Sequence, residues 1–417
     1  MNALRIFWAS WSIRWGLGTI VLLCFKLASA QTVYSVTDLG TFGGTFGCAM
    51  SLNQKGWAEV METTPTGNMH AGIWVDGLKI DFGTFGGPNS SENWGGINDS
   101  GVVVGFAETS TPAPNGEDFC FFGTGLICRP FHWAGGKMIQ LPTLGGNNGW
   151  ANTVNDRGQM VGAAENTTPD PSCSPFQSVR PVIWEKRLAR DLSTLPGDPD
   201  GTANSINNRG QVVGGSGSWC AGLDHALLWD HGTVIHLPSL GGAMNNEALA
   251  INNQGQAVGH SGVSGDTTVH AVLWENGAAK DLGALPGDFG AFASGINHRG
   301  QVVGTSYDTN GNLHAFLREQ GTMVELSTLF PGDSDLYPTM ANEINSRGQI
   351  SGMATVTSGK HMGEVHAFVA TPVSEDGVAS KIVPRSQSSV RPQVAMTPEV
   401  RRLLLTRLGP SIAKLLK

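Results

Sequence analysis

A ten-residue pattern recurs along the chain, as in GINHRGQVVG at 295–304 and AINNQGQAVG at 250–259. Its Asn is followed three residues later by Gly, which is typical of a tight turn. In such a turn the Asn side chain caps the backbone and Gly accepts a positive φ. The Asn occurs seven times, at spacings of 45, 57, 52, 45, 45 and 48 residues: Asn53, Asn98, Asn155, Asn207, Asn252, Asn297 and Asn345. A period in this range is typical of propeller blades.

Four β-like blocks recur in step with this turn, each bounded by Gly, Asn or Pro. One copy reads ASGI, QVVG, HAFLR and ELS, in that order. Four strands make one blade, and stacked blades cover the faces that a single sheet leaves open. The third block carries repeated residues that we predict to lock and pack the blades, together with the seven Asn: His70, Trp74, Trp133, Trp184, His225, Trp229, His270, Trp274, His314 and His366.

The two ends of the repeat array complement each other. A fourth block without a partner, VYSVTDLG at 33–40, precedes the first copy, and the last copy ends at 366–370 without a fourth block. The N-terminal strand is therefore predicted to complete the last blade. Closure removes the exposed edges that the alternative, an open solenoid, would retain. The sequence predicts an all-β, seven-bladed β-propeller of four-stranded blades over residues 31–375.

These HA-F/V/L blocks, with D-L-G-x-L-G-G and I-N-x-x-G-Q-V-V-G, resemble the HAF-repeat family of bacterial extracellular proteins. The resemblance extends over residues 38–370 or so. It implies secretion and a repeat fold, and it carries over no catalytic residue. The chain departs from the pattern at Arg129 and Arg180, which replace the His of the third block, and at Arg318 and Ala370, which replace the Trp.

The first thirty residues have the features of a secretory signal peptide. Arg5 and Arg14 precede an apolar run at 16–25, and the small residues of 28–30 precede the predicted cleavage point. An uncleaved anchor is the alternative, although the apolar run is shorter than the ~20 residues that span a bilayer. We therefore expect an extracellular or periplasmic protein.

The C-terminal segment differs in charge from the rest of the chain. Residues 376–396 are predicted to form a linker, and 397–417 a short cationic amphipathic helix with Thr397 as N-cap and Pro398 at its first position. Eight basic and two acidic residues lie in 376–417, against 15 basic and 32 acidic residues in 31–375. The acidic body argues against nucleic acid as a partner. The tail is predicted to dock on that body, to be disordered, or to contact an anionic membrane surface weakly.

Placing the first block innermost puts the tight turns on one face and the long irregular loops on the other. Variable loops on a rigid scaffold usually carry function, so we predict a ligand site on the loop face. Cys120 and Cys128 share one loop, and Cys173 and Cys220 occupy equivalent loops of adjacent blades. These two pairs are the candidate disulfides. Other pairings are open, and Cys48 is left over.

Six aromatic residues lie shortly before or within the first block, and are predicted to surround the channel mouth: Phe46, Trp94, Trp150, Phe289, Phe292 and Tyr337. Aromatic faces around a polar cup can stack on sugars or grip a peptide. The alternative is that these side chains fill the channel or pad the blade junctions.

The sequence predicts no metal site and no cofactor. Asp198-Pro-Asp200 and Asp333-Ser-Asp335 resemble fragments of calcium-binding loops, but neither supplies the full set of ligands. Turn chemistry accounts for both fragments equally well. The cysteines show neither C-x-x-C spacing nor a nearby His pair.

These features together predict a secreted, monomeric binding module for a glycan or protein ligand, without catalytic residues. One alternative is an extracellular glycoside hydrolase or lyase, for which the available acids are Glu247, Asp288, Asp333 and Asp335. The other is a structural component of an envelope or matrix, held there by the cationic tail.

Overall fold

The computed structural model describes residues 32–92, 96–373, 391, 397–400 and 402. Its 28 strands form seven four-stranded antiparallel sheets. The blades, each given from its inner to its outer strand, are β2 (Gly47–Leu52), β3 (Ala58–Thr63), β4 (Met69–Val75), β5 (Leu78–Asp81); β6 (Gly86–Ser91), β7 (Val103–Pro112), β8 (Leu126–Ala134), β9 (Lys137–Gln140); β10 (Gly149–Val154), β11 (Met160–Pro169), β12 (Gln177–Glu185), β13 (Leu188–Asp191); β14 (Asp200–Ile206), β15 (Val212–Ser218), β16 (Gly222–Asp230), β17 (Thr233–His236); β18 (Glu247–Ile251), β19 (Ala257–Gly262), β20 (Val269–Glu275), β21 (Ala278–Gly283); β22 (Gly290–Ile296), β23 (Val302–Tyr307), β24 (Leu313–Glu319), β25 (Thr322–Glu325); and β26 (Leu336–Ile344), β27 (Ile350–Val356), β28 (Val365–Pro372), β1 (Tyr34–Gly40).

The predicted seven-bladed propeller is confirmed, and so is the order of strands within each blade. The first blocks lie innermost, because the inner strands of neighbouring blades contact each other from blade 3 round to blade 1. Strand β22 (GAFASGI) is buried along its whole length. Its small residues suit the crowded centre, where seven strands converge. A short 3-10 turn at Leu326–Leu329 follows β25, and residues 398–400 and 402 are helical. No helix within the described residues is long and apolar enough to cross a membrane.

The N-terminal strand closes the ring, as the two ends of the repeat array predicted. Strand β1 pairs antiparallel with β28, from Tyr34 opposite Pro372 to Gly40 opposite Ala367. A bulge between Asp38 and Gly40 shifts the register near the end of this ladder. The last blade thus takes three strands from the C-terminal end of the array and one from the N-terminal end, and β28 is not left as an open edge.

The seven Asn of the tight turns form a continuous circle of hydrogen bonds. Each Asn donates from Nδ2 to the backbone carbonyl of the corresponding Asn in the next blade, at 3.0 to 3.1 Å. The seventh bond runs from Asn345 to Asn53 and joins the last blade to the first. All seven side chains are buried. The turn motif therefore fastens neighbouring blades together as well as joining two strands within each blade.

The same side chain also holds its own turn. In blade 5, Asn252 Oδ1 accepts hydrogen bonds from the backbone N–H groups of Gln254, at 2.9 Å, and Gln256, at 3.1 Å. Gly255 has a φ of 86° and donates its N–H to the carbonyl of Asn252. The pattern requires Asn because only a primary amide offers two acceptor lone pairs and two donors on one short side chain.

In blades 3, 4 and 5, the Trp of the third block connects the blade to the preceding one. Trp184 donates from Nε1 to the carbonyl of Pro142 at 2.7 Å, and Trp274 donates to that of Pro238 at 2.7 Å. Trp229 makes the corresponding bond to Ser193 at 2.9 Å. Each indole thus buries its ring between two blades while its N–H is satisfied by the segment that joins them.

Substitution of one ring Asn tests the contribution of the circle. We expect Asn252→Ala to lower the free energy of unfolding by about 2 to 4 kcal/mol, because it removes a buried donor and the acceptor for two N–H groups. Asn252→Asp keeps the acceptor but turns an oxygen toward the carbonyl of Asn297, so it should be at least as destabilising. Denaturant unfolding measures both. Asn310→Ala, in an exposed loop, is the control, and equal stability of all three variants would contradict a structural role for the circle.

Candidate functional site

The longest loop between a second and a third strand lies in blade 2, and the corresponding loop of blade 3 lies on the same face. Residues 113–125 connect β7 to β8, and residues 170–176 connect β11 to β12. The loop face is defined here as these loops, the corresponding loops of the other blades and the blade-to-blade connections. The tight turns and the short turns to the outer strands occupy the opposite face.

Two disulfides fix these loops, with the predicted pairing. Cys120–Cys128 closes the blade 2 loop on itself, and Cys173–Cys220 joins the loops of blades 3 and 4. Cys48 is a buried thiol within β2, and Asn342 donates to its Sγ at 3.2 Å. Disulfides are typical of oxidising compartments, so the two bridges are consistent with an extracellular protein.

Removal of the bridge that closes the longer loop should cost more stability, because the entropy of loop closure grows with the logarithm of loop length. The bridges span sequence separations of 47 residues for Cys173–Cys220 and 8 residues for Cys120–Cys128. Chain entropy then predicts losses of about 4 and about 2.5 kcal/mol, respectively. Denaturant unfolding of the C173S/C220S and C120S/C128S double variants measures the difference. An equal or reversed order would mean that native packing, rather than chain entropy, decides the effect.

The predicted open cup of aromatic faces is not observed. Phe46, Trp150, Phe292 and Tyr337 are all 2% exposed or less, because neighbouring blades and loops cover their rings. Phe289 is exposed, and Trp94 lies outside the described residues. Four of the six predicted ligand-binding residues therefore present no aromatic face to solvent in this structure and contribute to the core instead.

An aromatic cluster missed by the sequence reasoning lies beneath the disulfides. The Trp150 ring, from blade 3, is 4.8 Å from that of Phe119 and 5.2 Å from that of Trp219. Phe119 and Trp219 come from the loops of blades 2 and 4, and each directly precedes a bridged Cys. An aromatic residue directly before each bridged Cys was the sequence signal for this cluster, because loops joined by a disulfide often form a small core of their own. The cluster thus joins blades 2, 3 and 4 on the loop face.

The loop-side ends of blades 1, 5, 6 and 7 share an apolar cluster that is rich in methionine. A single cluster of buried residues, the mouth cluster, comprises Phe46, Cys48, Met50, Met61, Met69, Leu249, Val269, Phe292, Tyr307, Leu313, Met340, Met353, Val365 and Val400. Val400 belongs to the C-terminal tail and is 5% exposed. The tail thus places an apolar side chain in the mouth cluster.

One further contact shapes the tail segment, and another joins it to the body. Thr397 Oγ1 accepts a hydrogen bond from the Val400 N–H at 3.2 Å, as predicted for a helix N-cap. The Arg402 guanidinium lies over the ring of Phe122, 5.4 Å from its centroid. The described part of the tail is therefore docked on the body, which was one of the three outcomes predicted for it.

Arg391 occupies an acidic pocket, defined as Asp288, Glu325, His314 and Tyr337. It donates from Nη1 to Asp288 Oδ1 at 2.7 Å and from Nε to Glu325 Oε2 at 2.8 Å. Asp288 Oδ2 also lies 2.9 Å from His314 Nδ1, and the Tyr337 hydroxyl donates to Glu325 Oε1 at 2.9 Å. The Asp288 side chain is fully buried, and Arg391 is 34% exposed.

The pKa of Asp288 reflects this pocket. Burial alone raises it, but hydrogen bonds from His314 and Ser306 and the charges of His314 and Arg391 hold the pKa of Asp288 below its ordinary value. Burial lowers the pKa of Arg391, and the carboxylates of Glu325 and Asp288 outweigh that effect and raise it. The pocket thus holds two carboxylates that a cation stabilises.

The repeated His residues pair with Asp carboxylates. His70 meets Asp81 at 2.7 Å and His270 meets Asp281 at 3.0 Å within one blade, whereas His366 meets Asp38 of the closing strand at 2.9 Å. His225 reaches Asp198 at 2.9 Å in the segment before its own blade. Arg180, which replaces a His, bonds Asp191 at 3.0 Å and adds bonds to Thr194 and Pro199. This repetition suits the blade-locking role.

Several acids that the sequence offered for catalysis or calcium are engaged elsewhere. Asp200 is buried and accepts N–H groups from Val179, at 2.9 Å, and Trp219, at 2.8 Å. Burial raises its pKa to about 7. Asp335 bonds Ser358, and Asp333 is exposed. These acids do not converge on a common open pocket.

Glu247 is enclosed at the inner strand of blade 5, where Asn204 Nδ2 donates to its Oε1 at 2.7 Å. Burial raises its pKa to about 7. A raised carboxyl pKa means that the folded chain keeps a proton which the unfolded chain releases. This contribution to stability is therefore full below pH 4 to 5, and is lost as the pH rises through about 7.

We expect Glu247→Gln to remove this pH dependence. Relative to the native chain, the variant should gain about 3 kcal/mol of stability between pH 4 and pH 8, since each pKa unit corresponds to about 1.4 kcal/mol. Chemical unfolding at both pH values measures the gain. Glu185→Gln, at the exposed end of β12, controls for the loss of one carboxylate. A variant whose difference from the native chain did not change with pH would rule out a buried protonated Glu247.

The opposite face has a small polar cup at the channel opening, with a volume of about 190 Å³. The residues that follow the ring Asn line it, and they form a second set of cross-blade bonds. Asp156 Oδ1 accepts the N–H of Asp99 at 3.0 Å, and Asn208 Oδ1 accepts that of Asp156 at 2.9 Å. The polar groups of this cup are engaged in hydrogen bonds between blades. The loop face is therefore the stronger candidate for function.

Comparisons with known proteins yield structures only. No family model matches the chain, and no curated protein matches it. The chain is similar in structure to the β-propeller domain of the Trilobed protease from Pyrococcus furiosus, at 11% identity and a TM-score of 0.44 over 67% of this chain and 81% of that one.

Two other solved structures show the same general likeness. For the acylaminoacyl peptidase from Pyrococcus horikoshii the identity is 12% and the TM-score 0.45, over 74% of this chain and 50% of that one. For a gluconolactonase from Xanthomonas campestris the values are 9% and 0.37, over 82% and 90%. The chain spans half the length of that peptidase. At these identities the likeness concerns the propeller architecture alone.

Proposed function

We propose that this chain is a secreted binding module of the HAF-repeat type, whose loop-face mouth recognises a peptide segment with a basic and an apolar side chain. The observation that carries the proposal is the docked tail. Arg391 enters the acidic pocket and Val400 enters the mouth cluster. The chain's own tail thus behaves as a resident ligand and displays the chemistry that the mouth accepts.

The acidic pocket supports a basic side chain as the recognised group. Asp288 has a fully buried side chain and Glu325 is 12% exposed. A buried carboxylate without a cation is costly, so the pocket favours an occupant that brings one. Arg matches the geometry, because its planar guanidinium bonds two carboxylates through separate nitrogens. The net negative charge of the body also attracts a basic segment from a distance.

The mouth cluster supports a variable apolar partner. Five of its side chains are methionines, which are flexible and polarisable and can adapt to ligands of different shape. A protein ligand fits this site better than a glycan does, because the aromatic rings predicted for sugar stacking are mostly buried. The resemblance to extracellular repeat proteins and the two disulfides support secretion.

A labelled peptide spanning residues 391–402 tests the proposal in the full-length chain. The host is the R391A/V400D variant, in which the native tail should no longer dock. Fluorescence anisotropy should show saturable binding of the peptide to this variant. Binding to the native chain should be weaker, because its own tail competes for the site. Asp288→Asn in the host should weaken binding by about 30-fold or more, the usual effect of losing one partner of a buried charge pair. A peptide with Gln in place of Arg391 should show a comparable loss.

The matched control is Asp333→Asn, which removes a carboxylate from an exposed loop of the same face and should leave binding unchanged. Equal weakening by Asp333→Asn and Asp288→Asn would reduce the effect to general charge and contradict a specific pocket. A glycan array on the same host covers the sugar alternative. Glycan binding combined with no peptide binding would replace the proposed function.

A further inference from the structure

Three side chains with metal-binding atoms converge beside the closing blade. His361 and Glu364 lie in the loop between β27 and β28, and His366 is the second residue of β28. Glu364 Oε2 is 3.1 Å from His361 Nδ1 and 3.2 Å from His366 Nε2, and the three atoms all lie within 4.8 Å of one another. Ligand atoms on a tetrahedral zinc ion, at about 2.0–2.1 Å from the metal, are separated by about 3.3 Å. The two short separations match this spacing.

A fourth residue orients one of these ligands from behind. His366 Nδ1 lies 3.0 and 2.9 Å from the two carboxylate oxygens of Asp38 in β1. Metal-bound His residues usually donate their second ring N–H to a carboxylate, which fixes the tautomer and directs the other nitrogen at the metal. Here Nδ1 faces Asp38, and Nε2 is the nitrogen directed at Glu364.

The pairing leaves a need for positive charge at the centre of the cluster. An ionised Asp38 only accepts hydrogen bonds, so His366 Nδ1 carries a proton. In a neutral ring, Nε2 then directs a lone pair at an oxygen of Glu364, which also only accepts when ionised. A second proton on the ring or a metal ion satisfies both atoms. His361 Nδ1 lies beside the same Glu364 oxygen. A single proton shared by His366 and Glu364 does not require this third group, whereas a metal ion uses it as a ligand.

We propose that His361, Glu364 and His366 bind a divalent transition-metal ion, with Zn²⁺ as the preferred one. Two imidazoles and one carboxylate suit zinc, and three protein ligands leave a fourth position to solvent. Solvent reaches this position, because the His361 side chain is 45% exposed and that of Glu364 is 24% exposed. This site is separate from the acidic pocket and does not depend on the peptide proposal.

Metal binding at this site would stabilise the closure of the ring. His366 belongs to β28, Asp38 belongs to β1, and the Glu364 carbonyl accepts the N–H of Val356 at the end of β27 at 2.9 Å. A metal ion held there would connect the loop to β28 and, through Asp38, to the N-terminal strand. The sequence reasoning overlooked the motif His361-x-x-Glu364-x-His366, in which three ligands lie within six residues.

The test is Zn²⁺ titration of the full-length chain, produced without a polyhistidine tag and freed of metal by chelation. Calorimetry should show one ion bound per chain. Thermal unfolding should shift upward by about 3 °C when Zn²⁺ is present at a hundredfold excess over its Kd. Asp38→Asn should weaken binding about 10-fold to 100-fold, and His361→Ala or Glu364→Gln should weaken it further.

The matched control is His231→Ala. His231 forms an exposed pair with Asp230 at 2.6 Å, without a third ligand beside it, so its loss should leave zinc affinity unchanged. His361→Ala removes an exposed loop side chain, and unfolding without metal will show whether it folds normally. Absence of one-to-one binding would overturn the proposal. So would binding that survives both His361→Ala and Glu364→Gln, since the ion would then lie elsewhere.

Discussion

Seven primary amides determine how this propeller is held together. Each ring Asn joins its own turn to the backbone of the next blade, and the circle closes with a bond of 3.0 Å from Asn345 to Asn53. A buried amide whose donors and acceptors are all engaged contributes stability and also fixes register, because a shift by one residue would leave them unsatisfied. The placement of strands, loops and channel follows from that shared register.

Much of this architecture was predictable because it repeats. The period of the Asn, the four blocks and the unmatched strand at the N-terminus together predicted seven blades and the way in which they close. The circle itself was not predicted. The Asn reads as a turn residue within one repeat, and its second partner is a carbonyl in the next repeat. A pattern in one dimension shows that a residue recurs, but not that its copies touch.

The candidate site was less predictable, because its residues do not repeat. Phe46 and Phe292 were expected at an open mouth, but the apolar groups that converge there, including Val400 of the tail, enclose them. Arg391 lies in a segment that composition marked only as a linker, and its partners Asp288 and Glu325 are distant in sequence. Burial and charge pairing at this site depend on the three-dimensional arrangement of single residues, for which one sequence provides no internal comparison.

The circle also has a direction. In every blade the side chain donates forward and the backbone accepts from behind, so the circle has neither a first nor a last member. The two ends of the repeat array, in contrast, are joined into one sheet at the outer edge of the last blade, where β1 lies against β28. The seam of the molecule is therefore peripheral. A force or fluctuation that peels the N-terminal strand away would open one outer ladder while leaving all seven central bonds in place, so the propeller can loosen at its rim and remain a closed ring at its centre.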